Sequence, residues 1–174
     1  YQDRPLPIGF DQTISQPYIV GLMSQELRLS ADDIALEIGT GSGYQAAILS
    51  RLVRRVYTIE RFQPLADQTR RTIEELGCDN VTVLCQDGSL GLQERAPFDV
   101  ILIGAASPTA PAPLLRQLNK GGRMILPVGG SGLQILQRVT KHEDGTLETE
   151  NLIPVMFVPL RGYYGWHPDD WGEE

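Results

Sequence analysis

The residues with the most chemical promise stand in one short string, Glu37-Ile38-Gly39-Thr40-Gly41-Ser42-Gly43-Tyr44. Three glycines at alternate positions let a backbone turn tightly and come close to a ligand. A dinucleotide site needs G-x-G-x-x-G/A, with a small last residue for helix–strand packing. Counted from Gly39 that last position is Tyr44, and counted from Gly41 it is Ala46, so spacing alone leaves this reading open beside a plain strand-to-helix turn. Glu37 adds a carboxylate two residues ahead of the first glycine. Glu60 ends the run Val56-Tyr57-Thr58-Ile59-Glu60, where an acidic side chain can accept both hydroxyls of a ribose. Asp87-Gly88 closes a further apolar run, and by itself spells only a turn. Ser15 precedes Gln16-Pro17, which suits a helix N-cap. The start of such a helix also favours an anion, because its N–H groups and dipole present positive charge.

These residues must be held by the elements around them. Ile34–Ile38, Val56–Ile59, Val81–Cys85, Phe98–Ile103 and Met124–Val128 read as short strands. Helical patterns over Tyr44–Leu52, Pro64–Leu76 and Pro111–Leu118 separate several of them, with stops at Gly77 and near Gly121-Gly122. Alternating β and α units specify a parallel sheet with right-handed crossovers. Leu133–Lys141 and Leu152–Leu160 lack a helix between them and predict an antiparallel hairpin joined at Glu143-Asp144-Gly145. The expectation is an α/β, doubly wound, Rossmann-like, mostly parallel sheet with a C-terminal antiparallel hairpin. Ligands of such sheets lie at the carboxyl ends of the strands. We expect a single domain over 1–174, with a substrate-side segment over 1–30, a cofactor-binding core over 31–130 and a hairpin and tail over 131–174.

Bulk properties narrow the partners. The 174 residues carry fifteen basic and twenty-two acidic side chains, a net charge of −7, which disfavours nucleic acid. Two cysteines, Cys78 and Cys85, and two distant histidines, His142 and His167, argue against a disulfide framework or a zinc site. No run approaches a membrane span and no secretory leader is recognised, so a cytoplasmic protein that does not bind membranes is expected, as a monomer.

The E-x-G-x-G-x-G string resembles the first motif of class I methyltransferases. That resemblance implies S-adenosyl-L-methionine as cofactor. It places Glu37 at the aminoacyl end, Gly39, Thr40, Gly41 and Gly43 in the loop beneath, Glu60 at the ribose, and Asp87 with Gly88 at the adenine. After the fourth strand, Gly104-Ala105-Ala106-Ser107-Pro108 lacks the Asn/Asp-Pro-Pro-aromatic string of enzymes that methylate exocyclic amines, which argues against that role. A second string, Leu6-Pro7-Ile8-Gly9-Phe10-Asp11-Gln12-Thr13-Ile14-Ser15-Gln16-Pro17-Tyr18, resembles the protein-L-isoaspartate (D-aspartate) O-methyltransferase family. The similarity extends to Pro97-Phe98-Asp99, Gly121-Gly122-Arg123, Pro127-Val128-Gly129 and Phe157-Val158-Pro159-Leu160. It implies methylation of the free carboxylate of L-isoaspartyl and D-aspartyl residues in damaged proteins, which initiates their repair. Thr13, Ile14 and Ser15 would then meet substrate, with Ser15 in the catalytic position.

A carboxylate with a pKa near ~3.5–4 is already ionised at neutral pH, so this chemistry needs no general base. The sequence departs from the family in two places. Relatives usually carry a further stretch before the position of Tyr1, which covers the site, and Arg161 stands where they often have a smaller residue. The tail Tyr163-Tyr164-Gly165-Trp166 suits either closure over ligand or packing. Other readings stay open at this point: a class I methyltransferase of small molecules or tRNA, a nicotinamide-dependent oxidoreductase, and a non-catalytic cofactor-binding fragment.

Overall fold

The computed structural model describes residues 6–9 and 12–171, with side chains from residue 14 onward. A two-stranded ribbon, β1 (Leu6–Gly9) and β2 (Gln12–Ile14), leads into helix α1 (Pro17–Glu26). There follow β3 (Ile34–Ile38), α2 (Tyr44–Ser50), β4 (Arg55–Glu60), α3 (Gln63–Glu75), β5 (Val81–Cys85), β6 (Phe98–Ile103), α4 (Ala112–Gln117), β7 (Leu118–Val128), β8 (Gln134–Lys141) and β9 (Leu147–Val155). The last seven strands form one sheet in the order β5-β4-β3-β6-β7-β8-β9. β3 to β7 are parallel, while β8 and β9 are antiparallel additions at one edge. This is the doubly wound architecture expected.

Side chains on a strand alternate between faces. Leu36, Ile38, Ile101 and Ile103 therefore share one buried cluster with Phe98 and Leu114. Ala35, Val100 and Leu102 point the other way, into a cluster built on Ile19, Met23 and Leu27 of the α1 region and Leu49 of α2. Burying each large apolar side chain of this kind contributes roughly 1.5–3 kcal/mol. α3 packs through Leu65, Ala66, Thr69 and Ile73, a one-face helical spacing. Glu37 falls on the α1 side of the sheet by the same alternation, although it is a carboxylate.

Two expectations change. Gly121-Gly122 does not end a helix. α4 stops at Gln117, and the chain enters β7 directly, pairing Leu118 with Phe98 before a register shift. Gly121 has φ +75°, and a Cβ on Gly122 would lie 2.8 Å from the Asn119 carbonyl oxygen, so the pair forms an irregularity inside a strand. The hairpin is also displaced. β9 begins at Leu147 and ends at Val155, because its pairing with β8 sets Leu147 opposite Lys141 and Asn151 opposite Gln137. Its outer half, Glu148–Asn151, is polar and exposed, as suits an edge strand. The apolar stretch 156–160 is thereby released from the sheet.

Candidate active site

The strand order reverses between the parallel neighbours β3 and β6, and the crevice opens there. The Gly104 N–H donates to the Ile38 carbonyl (2.8 Å), so the ends of the two strands meet backbone to backbone. A Cβ on Gly104 would come within 3.5 Å of the carbonyl oxygens of Ile38 and Gly39. A cavity of about 730 Å³ lies on this junction, walled by Gly39, Glu60, Phe62, Gly88, Leu160 and Trp171. That size fits a small-molecule site, typically ~300–1,000 Å³. A second groove, about 500 Å³, runs past Ser15, Ile19, Leu133, Met156 and Val158. The two share Gly104, Met156, Phe157 and Val158.

The glycine loop is held from three sides. The Gly39 N–H donates to the Ile59 carbonyl (2.9 Å), the Gly41 N–H to Glu60 Oε2 (3.1 Å), and Thr69 Oγ1 to the Gly41 carbonyl (2.6 Å). Gly39, Gly41 and Gly43 all have positive φ, at +90°, +53° and +83°. Gly43 works behind the cleft, where a Cβ would press to 2.7 Å from Thr69 Cγ2. Thr40 is buried, and its hydroxyl pairs with that of Thr58 at 2.6 Å. Glu60 is fixed at the end of β4. Besides Gly41, the N–H groups of Arg61 and Phe62 donate to its Oε1 at 2.8 and 3.0 Å.

Gly88 lines the cavity, and a Cβ there would lie 2.5 Å from Ile38 Cγ2. Asp87 does not line it. Its Oδ1 accepts from the Ser89 N–H (2.9 Å) and hydroxyl (2.7 Å), and its Oδ2 from the Tyr163 N–H (2.8 Å).

Glu37 ends in a small recess of about 50 Å³ bordered by Ser15, Met23, Tyr44 and Gln45. It is 1% exposed, and its Oε2 has no hydrogen-bond partner among the described residues. Burial pushes its pKa up to about 8; a hydrogen bond from Thr58 opposes the rise and the Glu60 carboxylate adds to it. Such a group invites a cation. Ser15 borders both this recess and the outer groove. The N-cap reading of Ser15 is corrected: Gln16 is the N-cap of α1, without a side-chain cap bond, and its carbonyl accepts from Ile19 and Val20 at 3.0 and 3.2 Å. Ile14 lines the recess, Thr13 is placed only through its backbone pairing with Pro7, and Phe10 and Asp11 lie outside the described residues.

Alternation and motif spacing do not reveal the far wall. Met156–Leu160 crosses the end of β6 in extended form, with the Ala106 N–H donating to the Val158 carbonyl (2.8 Å) and the Leu160 N–H to the Ala106 carbonyl (2.7 Å). The apolar run was legible, but not that it leaves the sheet. Arg161 braces the tail, donating to the carbonyls of Trp166 (3.2 Å) and His167 (2.8 Å). Neither His142 nor His167 lines the cleft, and no group of three metal-ligating side chains gathers among the described residues.

Comparison with known proteins places this arrangement. The sequence model for protein-L-isoaspartate(D-aspartate) O-methyltransferase (PCMT) matches residues 1–164. A protein-L-isoaspartate O-methyltransferase of Geobacter metallireducens is 52% identical over 98% of this chain and 79% of its own length. One from Methanospirillum hungatei is 54% identical over 95% of this chain and 76% of its own. A solved protein-L-isoaspartate O-methyltransferase structure superposes with TM-score 0.86 at 30% identity, covering 95% of this chain, which spans 55% of that longer one. A Plasmodium falciparum structure in complex with S-adenosyl-L-homocysteine gives TM-score 0.78 at 26% identity, over 92% of this chain and 81% of that one.

Proposed function

Because the chain belongs to the protein-L-isoaspartate(D-aspartate) O-methyltransferase family, we propose that its cleft binds S-adenosyl-L-methionine and methylates the free carboxylate of L-isoaspartyl and D-aspartyl residues in damaged proteins, initiating their repair. The observation that carries this reading is the junction at Gly104 and Phe157, where a nucleotide-sized cavity opens into a groove beside Ser15. When bound, S-adenosyl-L-methionine supplies a methyl group on a sulfonium, an already activated leaving group.

The residues present fit that cofactor. Glu60 faces the cavity with a carboxylate locked by three N–H groups, suited to ribose hydroxyls. Gly39, Gly41 and Gly88 line the cavity with bare backbone, with Thr40 and Gly43 holding the loop. Asp87 would act at the adenine end through the position it gives Gly88 and the tail. Glu37 would offer an ammonium a carboxyl oxygen that has no partner among the described residues. Ile14, Ser15 and Thr13 would border the protein substrate, with the Ser15 hydroxyl donating to its carboxylate.

What the protein must provide is orientation and a dry site. Holding reactants close is worth roughly 7–11 kcal/mol. Excluding water also helps here, because the reaction cancels a negative charge against a positive one. No residue need remove a proton, since the substrate carboxylate is ionised at neutral pH.

We read the chain as one domain, with residues 1–30 on the substrate side, 31–130 binding cofactor and 131–174 closing the edge. We propose a cytoplasmic monomer that avoids nucleic acid and membranes; the net charge of −7 disfavours nucleic acid, and the free Cys78 and Cys85 suit a reducing compartment. Among the described residues no helix is long and apolar enough to cross a membrane. The test is methyl transfer to paired peptides that differ only in isoaspartate or aspartate. Transfer to the isoaspartyl peptide alone is expected. Equal rates on both, or transfer only to RNA or a small molecule, would reject the substrate assignment.

A further inference from the structure

Residues 161–171 fold back as a strap along the nucleotide cavity. The Tyr163 N–H donates to Asp87 Oδ2 (2.8 Å) and the Tyr164 N–H to Ser89 Oγ (3.0 Å), which ties the strap to the turn containing Gly88. Two glycines make this approach possible. A Cβ on Gly162 would lie 2.1 Å from Asp87 Oδ1, and one on Gly165 would lie 2.2 Å from the Leu160 carbonyl oxygen. The Trp166 N–H then donates to that same carbonyl (2.8 Å), and Arg161 clamps the carbonyls of Trp166 and His167. The strap brings Trp171 into the lining of the cavity, which Arg61, Phe62 and Gly88 also line. Trp166 supports the Trp171 ring edge to face, with centroids 5.7 Å apart at 63°.

We propose that this strap is part of the cofactor site, and that Trp171 supplies an aromatic wall for the adenine of S-adenosyl-L-methionine; the assignment rests on the methyltransferase reading above. A planar base is recognised by an aromatic face with little demand on hydrogen bonding. Glu60 marks the ribose position within the same cavity, and Gly88 with the Asp87 turn marks the side toward which the strap is tied. Ser15 lines the other groove, whose lining does not include Trp171. Trp171 would thus bind cofactor without lining the substrate groove.

The chain contains two tryptophans, which makes the assignment readable by intrinsic fluorescence. S-adenosyl-L-homocysteine and adenosine are titrated into the wild type, Trp166→Phe, Trp171→Phe and Trp171→Ala, with homocysteine as control and calorimetry in parallel. Wild type and Trp166→Phe should change emission with both adenine-containing ligands and stay silent with homocysteine. Trp171→Phe should lose the signal while binding is retained, and Trp171→Ala should bind S-adenosyl-L-homocysteine about tenfold more weakly at an unchanged melting temperature. Calorimetric binding with a full signal from Trp171→Phe, or undiminished affinity in Trp171→Ala, overturns the proposal alone. Absence of any S-adenosyl-L-homocysteine binding to the wild type overturns the methyltransferase reading and the proposal with it.

Discussion

Glu37 should give up its proton when the cofactor's ammonium arrives. In the free protein its carboxyl is raised from an ordinary 4.5 to about 8, first by burial, with Thr58 pulling down and Glu60 pushing up. At pH 7 about nine molecules in ten then carry the proton. An opposite charge within a few ångströms lowers a pKa by about 1–3 units, so an ammonium in the recess would release roughly 0.4 to 0.9 proton per molecule bound at pH 7. The affinity for S-adenosyl-L-homocysteine should fall as pH drops below 8, by up to about tenfold per unit. Stability runs the other way. Between pH 4.5 and 8 the folded protein holds a proton that the unfolded chain gives up. Glu37's contribution is therefore fully present below about 4.5 and is lost as pH rises through about 8, at about 1.4 kcal/mol per unit. Calorimetric titration at pH 7 in phosphate and in Tris, whose ionisation enthalpies differ, counts the protons directly. Glu37→Gln should abolish the release and flatten this component of the stability profile. Equal heats in the two buffers for the wild type, or an unchanged proton count in Glu37→Gln, would refute the reasoning.

Ser15→Ala should lower methyl transfer by one to two orders of magnitude, since a hydrogen bond to a charged group is worth about 1.5–3 kcal/mol. Its melting temperature should hold, because Gln16 rather than Ser15 occupies the N-cap of α1; a lowered melting temperature with activity per folded molecule intact would contradict this. Gly88→Ala forces a Cβ to within 2.5 Å of Ile38 Cγ2 and should cost about 1–3 kcal/mol by thermal unfolding, along with S-adenosyl-L-homocysteine affinity. Gly21→Ala, in α1 with nothing within 4 Å of the added Cβ, should instead stabilise by about 0.5–1 kcal/mol. Denaturant titration of both variants checks the pair, and similar losses in each would undermine the packing argument.

Local pattern was enough to place β3, β4, β5 and β6, the glycine loop after β3 and the acidic residues Glu37 and Glu60. Period-2 alternation, helix stops and turn signals are written over a few residues, and the spacing E-x-G-x-G-x-G is itself local. The two errors in the elements share a cause. Gly121-Gly122 stops a helix in most contexts, yet here pairing of Leu118 with Phe98 carries the chain into β7. The run from Leu152 onward is apolar throughout, and only the register against β8 decides that the strand ends at Val155.

The candidate site divides along the same line. Glu37 could be named from spacing, but its raised pKa comes from burial beneath α1 and α2 and from the Glu60 carboxylate, with Thr58 opposing. Asp87 was legible as a strand-end carboxylate, yet a tail more than seventy residues away takes its Oδ2. Ser15 looked equally like a cap until the start of α1 fixed Gln16 in that place. Phe157, Leu160 and Trp171 carry no motif that announces a wall. They become one because main-chain bonds to Ala106 and Leu160 fold distant segments over the ends of β3 and β6, and contacts between residues so far apart in the chain exist only once the sheet has formed.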